Sequence, residues 1–128
     1  MSKTYDGINI QWPISQDIIS GLKSIETRTY PLPKSYLNEE IILVETPGKK
    51  GKFKARGIAI IKFTKSFAYR NKKEFYLDID KHCVSKDSPW SWRDKPKWGW
   101  EVQVVRILKK PINIEQHGIV YRKNIKLT

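Results

Sequence analysis

The sequence predicts an α+β domain in which about six short strands form a curved sheet or a small barrel, with two helices packed against it. Three observations favour this fold class. The chain has 128 residues, which suits one domain with one core. Its predicted strands outnumber its helices, and the two kinds of element do not alternate as they would in a parallel βαβ sheet. Nothing repeats and no low-complexity linker interrupts the chain, so we expect one domain over residues 1–128.

The first quarter of the chain predicts a strand, a helix and a second strand. GINIQ at 7–11 alternates in polarity, as a half-buried strand does. Pro13 suits the first turn of a helix, and Gly21 marks its end. The apolar stripe of this helix would be Ile14, Ile18 and Leu22. SIETRTY at 24–30 is the second strand, and the prolines within 31–33 end it because they cannot donate to a sheet.

A β-hairpin is the clearest element of the remaining sequence. EEIILVET at 39–46 and KARGIAIIKFT at 54–64 flank the turn PGKKGK, which carries Lys49, Lys50 and Lys52. The later elements are a helix at 71–83, a long loop at 84–97 and strands at 98–111 and 118–127.

The composition excludes several classes of protein and site. No stretch approaches the roughly 20 apolar residues of a membrane span, and MSKTYDGINIQ lacks the apolar run of a secretory signal. We therefore expect a soluble cytoplasmic protein. The only cysteine is Cys83, and the two histidines, His82 and His117, are far apart, so we expect no disulfide and no metal. No phosphate loop, HExxH or GxSxG motif is present, and no cofactor is predicted.

His82 and Cys83 could suggest a catalytic pair, but adjacent residues on a helix point about 100° apart. A thiolate nucleophile needs its base within hydrogen-bonding distance. We therefore interpret both residues as packing residues of the predicted second helix.

The net charge indicates the class of partner. The chain carries 25 Lys and Arg against 13 Asp and Glu, a net charge of +12. Between Pro47 and Lys73 there are basic residues but no acidic ones. A segment of one sign is typical of proteins that bind a polyanion. The alternative is a lysine-rich composition that spreads cations over every solvated face.

Glu26 and Arg28 lie two apart on the predicted second strand and therefore share one face, which Tyr30 continues. Two interpretations stay open. The charged row could lie on an exposed edge strand, where charges discourage aggregation and an ion pair contributes only about 0.2–1 kcal/mol. Alternatively, the row could line a pocket.

Four of the five tryptophans lie within eleven residues: Trp90, Trp92, Trp98 and Trp100. The last two share a strand face, and at least one of them should be a core residue. The other two lie in the long loop, where stacking or a lid function is as reasonable as packing. Aromatic side chains beside cations suit unpaired nucleic-acid bases, each stacked base being worth about 1–3 kcal/mol.

The stretches INIQWP and IISGLKSIETRTYP resemble the signature of ASCH domains, which are members of the PUA-like superfamily. The family motif G-x-K-x-x-E-x-R is matched by Gly21, Lys23, Glu26 and Arg28. WGWEVQVVRILKKP resembles the last long strand of the family, so the similarity extends over residues 7–111. The resemblance implies a small PUA-like β-barrel, with a cleft between the first helix and the barrel mouth that the three charged motif residues face.

The resemblance also implies an association with RNA. Related YTH and EVE modules hold a modified base in an aromatic cage, some small ASCH proteins are amidohydrolases of N4-acylated cytidines, and others have ribonuclease activity. The amidohydrolases use the motif lysine, a threonine three residues later and a distant glutamate. Lys23 matches, but the threonine position is Glu26 here, and Thr27 lies one residue beyond it.

The leading hypothesis is a protein that binds RNA, or another single-stranded nucleic acid, in a nucleotide-sized cleft. The predicted cleft residues are Trp12, Lys23, Glu26, Arg28, Trp98 and Trp100. The predicted phosphate contacts are Lys49, Lys50 and Lys52, with Arg122, Lys123 and Lys126 near the C-terminus.

The main alternative is a hydrolase of modified nucleosides or a ribonuclease. Lys23 would then be its base or nucleophile, with Glu26 or Glu101 moving protons. A third possibility is a protein-interaction module whose cleft is vestigial.

Overall fold

One six-stranded mixed sheet runs through residues 3–127, the part of the chain that the computed structural model describes. The elements are β1 (Lys3–Gln11), α1 (Ile14–Ile19), β2 (Ile25–Arg28), β3 (Glu40–Thr46), β4 (Arg56–Ala68), α2 (Lys72–Leu77), α3 (Ile79–His82), β5 (Trp98–Asn113) and β6 (Tyr121–Leu127). A single 3₁₀ turn at Lys34–Tyr36 precedes β3. The predicted α+β class is confirmed, with three short helices where two were predicted.

The sheet has the strand order β2-β5-β4-β3-β1-β6. β1 and β3 are parallel, and the other neighbouring strands are antiparallel. The small barrel that the resemblance implied is not closed. A closed barrel requires each strand to pair on both sides. Within residues 3–127, β2 and β6 each pair on one side only.

The shortness of β2 explains the open sheet. β2 has four residues and pairs with β5 from Ile25 to Arg28. The other edge of β2 faces the end of β1. The last pair between β1 and β6 is Ile8 with Tyr121, so β6 does not cover the end of β1 beyond Ile8. A side chain bridges the gap instead of a backbone ladder: Arg28 Nη2 donates to the carbonyl oxygen of Asn9 at 3.1 Å. The end of β1 pairs only with β3, and β2 pairs only with β5, so a gap remains between the facing edges of β1 and β2.

Both faces of the central strands are buried, which accounts for the continuous apolar run in β3. Ile41 and Leu43 belong to the larger core cluster, which includes Ile18 of α1. Ile42 and Val44 point to the other face and belong to a second cluster, which packs against the C-terminal part of β5. A third, aromatic cluster connects α2 to the loop that follows α3.

Pro111 does not end β5, contrary to the sequence prediction. Ile107 pairs with Ala59 and Ile112 with Gly57, so the residues between Ile107 and Ile112 bulge out opposite a single residue of β4. A residue in a bulge makes no ladder bond, so the N–H that proline lacks is not needed there.

The first predicted helix ends just before Gly21 as expected, but one residue of its predicted apolar stripe lies outside it. α1 stops at Ile19, and Gly21 follows with φ of +85°, a conformation that favours glycine. Leu22 is 63% exposed, so its predicted place in the apolar stripe is wrong.

The predicted helix at 71–83 is two short helices that meet at Asp78. His82 is fully buried and stacks on Phe75, which confirms it as a packing residue. Cys83 is exposed, so the packing interpretation is wrong for the cysteine. Among the described residues, no helix is long and apolar enough to cross a membrane.

Candidate functional site

The gap between β1 and β2 contains a cavity of about 390 Å³. The ends of both strands, the start of α1 and the segment between α3 and β5 surround it. Its lining residues are Asn9, Ile10, Gln11, Ile14, Lys23, Glu26, Thr27, Arg28, Thr29, Tyr30, Thr46, Val84, Trp90 and Lys97. We refer to this cavity as the β1–β2 cleft. It contains all three charged residues of the predicted motif.

Lys23 enters the cleft from the turn after α1, where its backbone N–H donates to the carbonyl oxygen of Asp17 at 2.9 Å. The side chain is buried, and Nζ donates to the carbonyl oxygen of His82. Nζ also lies 3.7 Å from Glu26 Oε1. Burial lowers the pKa of Lys23, and the Glu26 carboxylate partly opposes that shift.

Glu26 and Arg28 form a close ion pair in which Nη2 donates to Oε2 at 3.0 Å. The guanidinium also donates to Asn9 O at 3.1 Å and to the hydroxyl of Tyr30 at 3.3 Å. Burial opposes the charge of Arg28, but Glu26 and Tyr30 outweigh it and raise the Arg28 pKa. Since Glu26 is only 7% exposed, the charged row lines a cavity and is not a solvated edge.

The predicted tryptophans do not line the cleft. Trp100 is completely buried behind Arg28, whose guanidinium carbon lies 5.5 Å from the indole centre. Trp98 is half-buried and packs against the main core. Trp12 makes an edge contact with Phe53 at 6.3 Å between ring centres. The expectation that at least one strand tryptophan is a core residue is therefore confirmed for Trp100.

The aromatic residues that do line the cleft are Tyr30 and Trp90. Trp90 is 42% exposed, and the structure shows no ring stacked on it within the described residues. It lies in the loop that the sequence identified as a place for stacking or a lid. Tyr30 packs edge-on against Trp100, with ring centres 5.7 Å apart.

Sequence reasoning missed Lys97, which lies directly before β5 and is 7% exposed. No sequence signal separates it from Lys95, which is exposed. Burial and the charge of Arg93 lower the pKa of Lys97. Sequence reasoning also missed three polar lining residues, Asn9, Gln11 and Thr27. A polar residue on an amphipathic strand is predicted to face solvent when the neighbouring strand is unknown.

Comparisons of the chain with known proteins show the fold. No protein-family model and no curated protein matches the sequence. The crystal structure of ASCH from Zymomonas mobilis matches with a TM-score of 0.64 and 17% identity, over 87% of this chain and 74% of that one. Two single-residue variants of the same Zymomonas mobilis protein match as well. The first variant has a TM-score of 0.64 and 17% identity, over 88% of this chain and 78% of that one. The second has a TM-score of 0.66 and 16% identity, over 93% of this chain and 87% of that one.

The chain has the ASCH fold. The resemblance inferred from G-x-K-x-x-E-x-R is thus confirmed for the fold. The sheet of this fold is open rather than closed into a barrel.

The basic turn of this ASCH fold lies beside the cleft. It starts directly after Thr46, a lining residue, and Gly48 packs closely on the side chain of Gln11, another lining residue. Its lysines Lys49, Lys50 and Lys52 are exposed. Because these three lysines make no ion pair within residues 3–127, their charge is available to a partner.

The basic residues near the C-terminus are placed differently. Arg122 donates to Asn9 Oδ1 at 2.8 Å and to Gln116 O at 2.8 Å, and Lys123 pairs with Asp6 at 3.0 Å. Both therefore have partners within the protein. The described residues 3–127 contain no group of three or more His, Cys, Asp or Glu that could hold a metal ion.

Proposed function

We propose that the protein binds single-stranded RNA, holding one nucleotide in the β1–β2 cleft and the neighbouring phosphates on the basic turn. The observation that carries this proposal is the composition of one cavity, which combines an exposed indole with three cations and one carboxylate. Ligand pockets typically combine apolar walls with a few fixed polar groups.

The aromatic residues supply the apolar surface for a base. Trp90 and Tyr30 line the cavity and are partly exposed, so a base can reach either ring. Proteins that bind single strands stack bases on such side chains and gain about 1–3 kcal/mol per base. Because every base has a flat face, this contact gives affinity with little sequence preference.

The ion pair supplies polar groups at fixed positions. Glu26 is acceptor-only when ionised, so it can accept from an exocyclic amino group, and Arg28 donates to a carbonyl or phosphate oxygen. Contacts to Asn9, Tyr30 and Trp100 hold Arg28 in place. A preorganised guanidinium loses less conformational entropy when it binds a ligand.

The test is the binding of fluorescently labelled single-stranded RNA, followed by anisotropy at several salt concentrations. We expect the affinity to fall as salt rises, with a log–log slope of about −0.7 for each phosphate that the protein neutralises. We expect Arg28→Gln to weaken binding more than Arg70→Gln does, since Arg70 is exposed, pairs with Glu74 and lies outside the cleft. Affinity that is independent of salt would contradict the phosphate contacts, and equal effects of the two substitutions would contradict the cleft.

One observation favours a second candidate, a hydrolase of acylated cytidines. Lys23 is a buried lysine with a lowered pKa in a cavity, as an activated amine must be. Thr27 also lines the cavity, one position away from where the amidohydrolases have their threonine. The Nζ of Lys23 donates to the carbonyl oxygen of His82 and lies near Glu26. Both contacts favour the protonated amine, which cannot act as a nucleophile.

Incubating the protein with N4-acetylcytidine and following the release of cytidine by chromatography decides between the two candidates. We expect no turnover by the wild-type protein across neutral pH. If cytidine is released, Lys23→Ala should abolish the reaction; the same variant of a binding protein should merely bind more weakly.

A further inference from the structure

Lys97 differs from every other cation of the β1–β2 cleft in having no partner. Lys23 and Arg28 share the carboxylate of Glu26. Within residues 3–127, Lys97 Nζ makes no ion pair and no hydrogen bond to a side chain or backbone atom. Its residue is nonetheless 7% exposed and lines the cavity.

The position of this lysine is set by its backbone. The carbonyl oxygen of Lys97 accepts the N–H of Tyr69 at 3.0 Å, at the start of the β4–β5 pairing that continues at Trp98. The backbone of Lys97 is therefore fixed against β4, although the residue itself lies just before β5. Val84 and Trp90, from the preceding segment, line the same cavity.

The Lys97 side chain is largely buried, but its Nζ keeps contact with solvent and opens onto the cavity without a counter-ion from the protein. The only carboxylate among the lining residues is Glu26, and it is already occupied by two cations. Burial and the charge of Arg93 both act against the ammonium form of Lys97 and lower its pKa. No carboxylate within residues 3–127 forms an ion pair with Lys97. An anionic group of a ligand in the cavity would therefore gain more binding free energy at Lys97 than at the cations that are already paired.

We infer that Lys97 binds the phosphate group of the nucleotide in the cleft, so that the ligand is a phosphorylated nucleotide, free or within a strand, and not a free nucleoside. This assignment rests on the proposed function, because it takes Trp90 and Tyr30 as the surface for the base. Lysine binds phosphate as a point charge, and no change of backbone is needed to present Nζ. The phosphate restores the counter-charge that the cavity lacks.

The experiment compares the affinity of the whole chain for the four ribonucleosides with its affinity for their 5′- and 3′-monophosphates, at constant ionic strength. Isothermal titration calorimetry or chemical-shift titration gives the dissociation constants. We expect at least one monophosphate to bind about tenfold more tightly than its nucleoside, the gain typical of a charge-assisted contact. Lys97→Gln should reduce that ratio to about threefold or less.

Lys95→Gln is the matched control, because it removes the same charge from an exposed lysine two residues away. It should keep the phosphate preference. A second readout is the stability of the free protein: Lys97→Gln should unfold at about the same temperature, since it removes a cation that has no partner within the fold. A lysine that supported the fold would instead lower the melting temperature when replaced.

Different results overturn different statements. If RNA or nucleosides bind but the phosphate brings no gain, or if Lys95→Gln removes the preference as completely as Lys97→Gln, the assignment of Lys97 is wrong and the proposed function stands. If no nucleoside, monophosphate or RNA oligonucleotide binds, the proposed function fails and this assignment fails with it.

Discussion

Two buried carboxylates, Glu45 and Glu26, have different surroundings in this protein. Glu45 is completely buried and accepts from Ser15 Oγ at 2.6 Å, Gln16 Nε2 at 2.7 Å and Arg56 Nε at 2.9 Å. It connects the start of α1 to β3 and β4, and it does not line the cleft. Glu26 accepts from Arg28 at 3.0 Å and from the backbone N–H of Thr27 at 3.2 Å, with Lys23 more distant, and it faces the cavity. A carboxylate supplied with donors by the chain holds the fold, whereas one facing an open cavity can bind a ligand.

The tryptophans show the same contrast. Trp100 is buried, donates its Nε1–H to Tyr30 O at 3.3 Å and packs against Phe63. Trp90 lines the cleft and is 42% exposed. The type of residue is the same in both places, so the difference in exposure comes from the packing around it.

The largest expected effect is that of Trp100→Ala. Removing a completely buried indole should lower the free energy of unfolding by about 3–5 kcal/mol. Urea denaturation at neutral pH measures it. A decrease below about 1 kcal/mol would mean that Trp100 is not the core residue that the structure shows.

Glu45→Gln should lower the free energy of unfolding by about 2–3 kcal/mol, because the amide leaves a buried donor facing Ser15, Gln16 or Arg56. Glu26→Gln is the matched change and should cost about 1 kcal/mol or less, since its amide can turn toward the open cavity. Urea denaturation of the two variants side by side tests the contrast, and equal decreases would remove the distinction between the two carboxylates.

The same pair of residues predicts a pH dependence. Burial opposes ionisation of Glu45, but hydrogen bonds from Ser15, Gln16 and Arg56 outweigh it and lower its pKa from the ordinary 4.5. The stability that this carboxylate contributes is therefore complete above about pH 4.5 and is lost as the pH falls through the lower folded-state pKa. The gap in stability between wild type and Glu45→Gln should narrow on acidification. A gap that stays constant down to about pH 2–3 would contradict the lowered pKa.

Glu26→Lys should lower the free energy of unfolding by about 2 kcal/mol and weaken RNA binding, because it places a third cation beside Lys23 and Arg28 where solvent screens poorly. Melting temperature and anisotropy measure the two effects. Wild-type values of both would show that the charged row is solvated after all.

Trp90→Ala should cost about 1–3 kcal/mol of RNA binding free energy, the value of one stacked base. It should change the free energy of unfolding by less than about 1 kcal/mol, because the side chain is partly exposed. Leu77→Ala is a suitable control, since Leu77 is an exposed apolar residue on α2 outside the cleft. Unchanged binding by Trp90→Ala would exclude the indole as the stacking surface.

The smallest effect on stability is expected for the triple change of Lys49, Lys50 and Lys52 to alanine, within about 0.5 kcal/mol for exposed residues. The salt dependence of RNA binding should flatten by about 0.7 in slope for each phosphate that the altered turn no longer neutralises. The control removes the same charge from Lys3, Lys109 and Lys110, which line another groove beside the second core cluster. If both triple variants flatten the slope equally, the net charge of +12 acts as a whole and the turn has no special part.

Much of the fold could be predicted from local sequence. The hairpin of β3 and β4, the helix stop at Gly21 and the charged row of β2 all follow from patterns within about ten residues. Such patterns report what each segment can bury and where the backbone must turn. Spacing placed Glu26 and Arg28 on one strand face, whereas the family resemblance implied that they and Lys23 face one cleft.

Long-range packing decided the rest. Whether the sheet closes depends on the pairing of β1 with β2, which are next to each other in sequence but at separate positions in the sheet. Trp98 and Trp100 share one strand face, yet Trp98 is half-buried and Trp100 is completely buried. Lys95 and Lys97 differ in the same way. By itself the sequence determined the elements, the charge and the motif; which side chains face the cavity was decided by tertiary structure, because burial depends on neighbours that are distant along the chain.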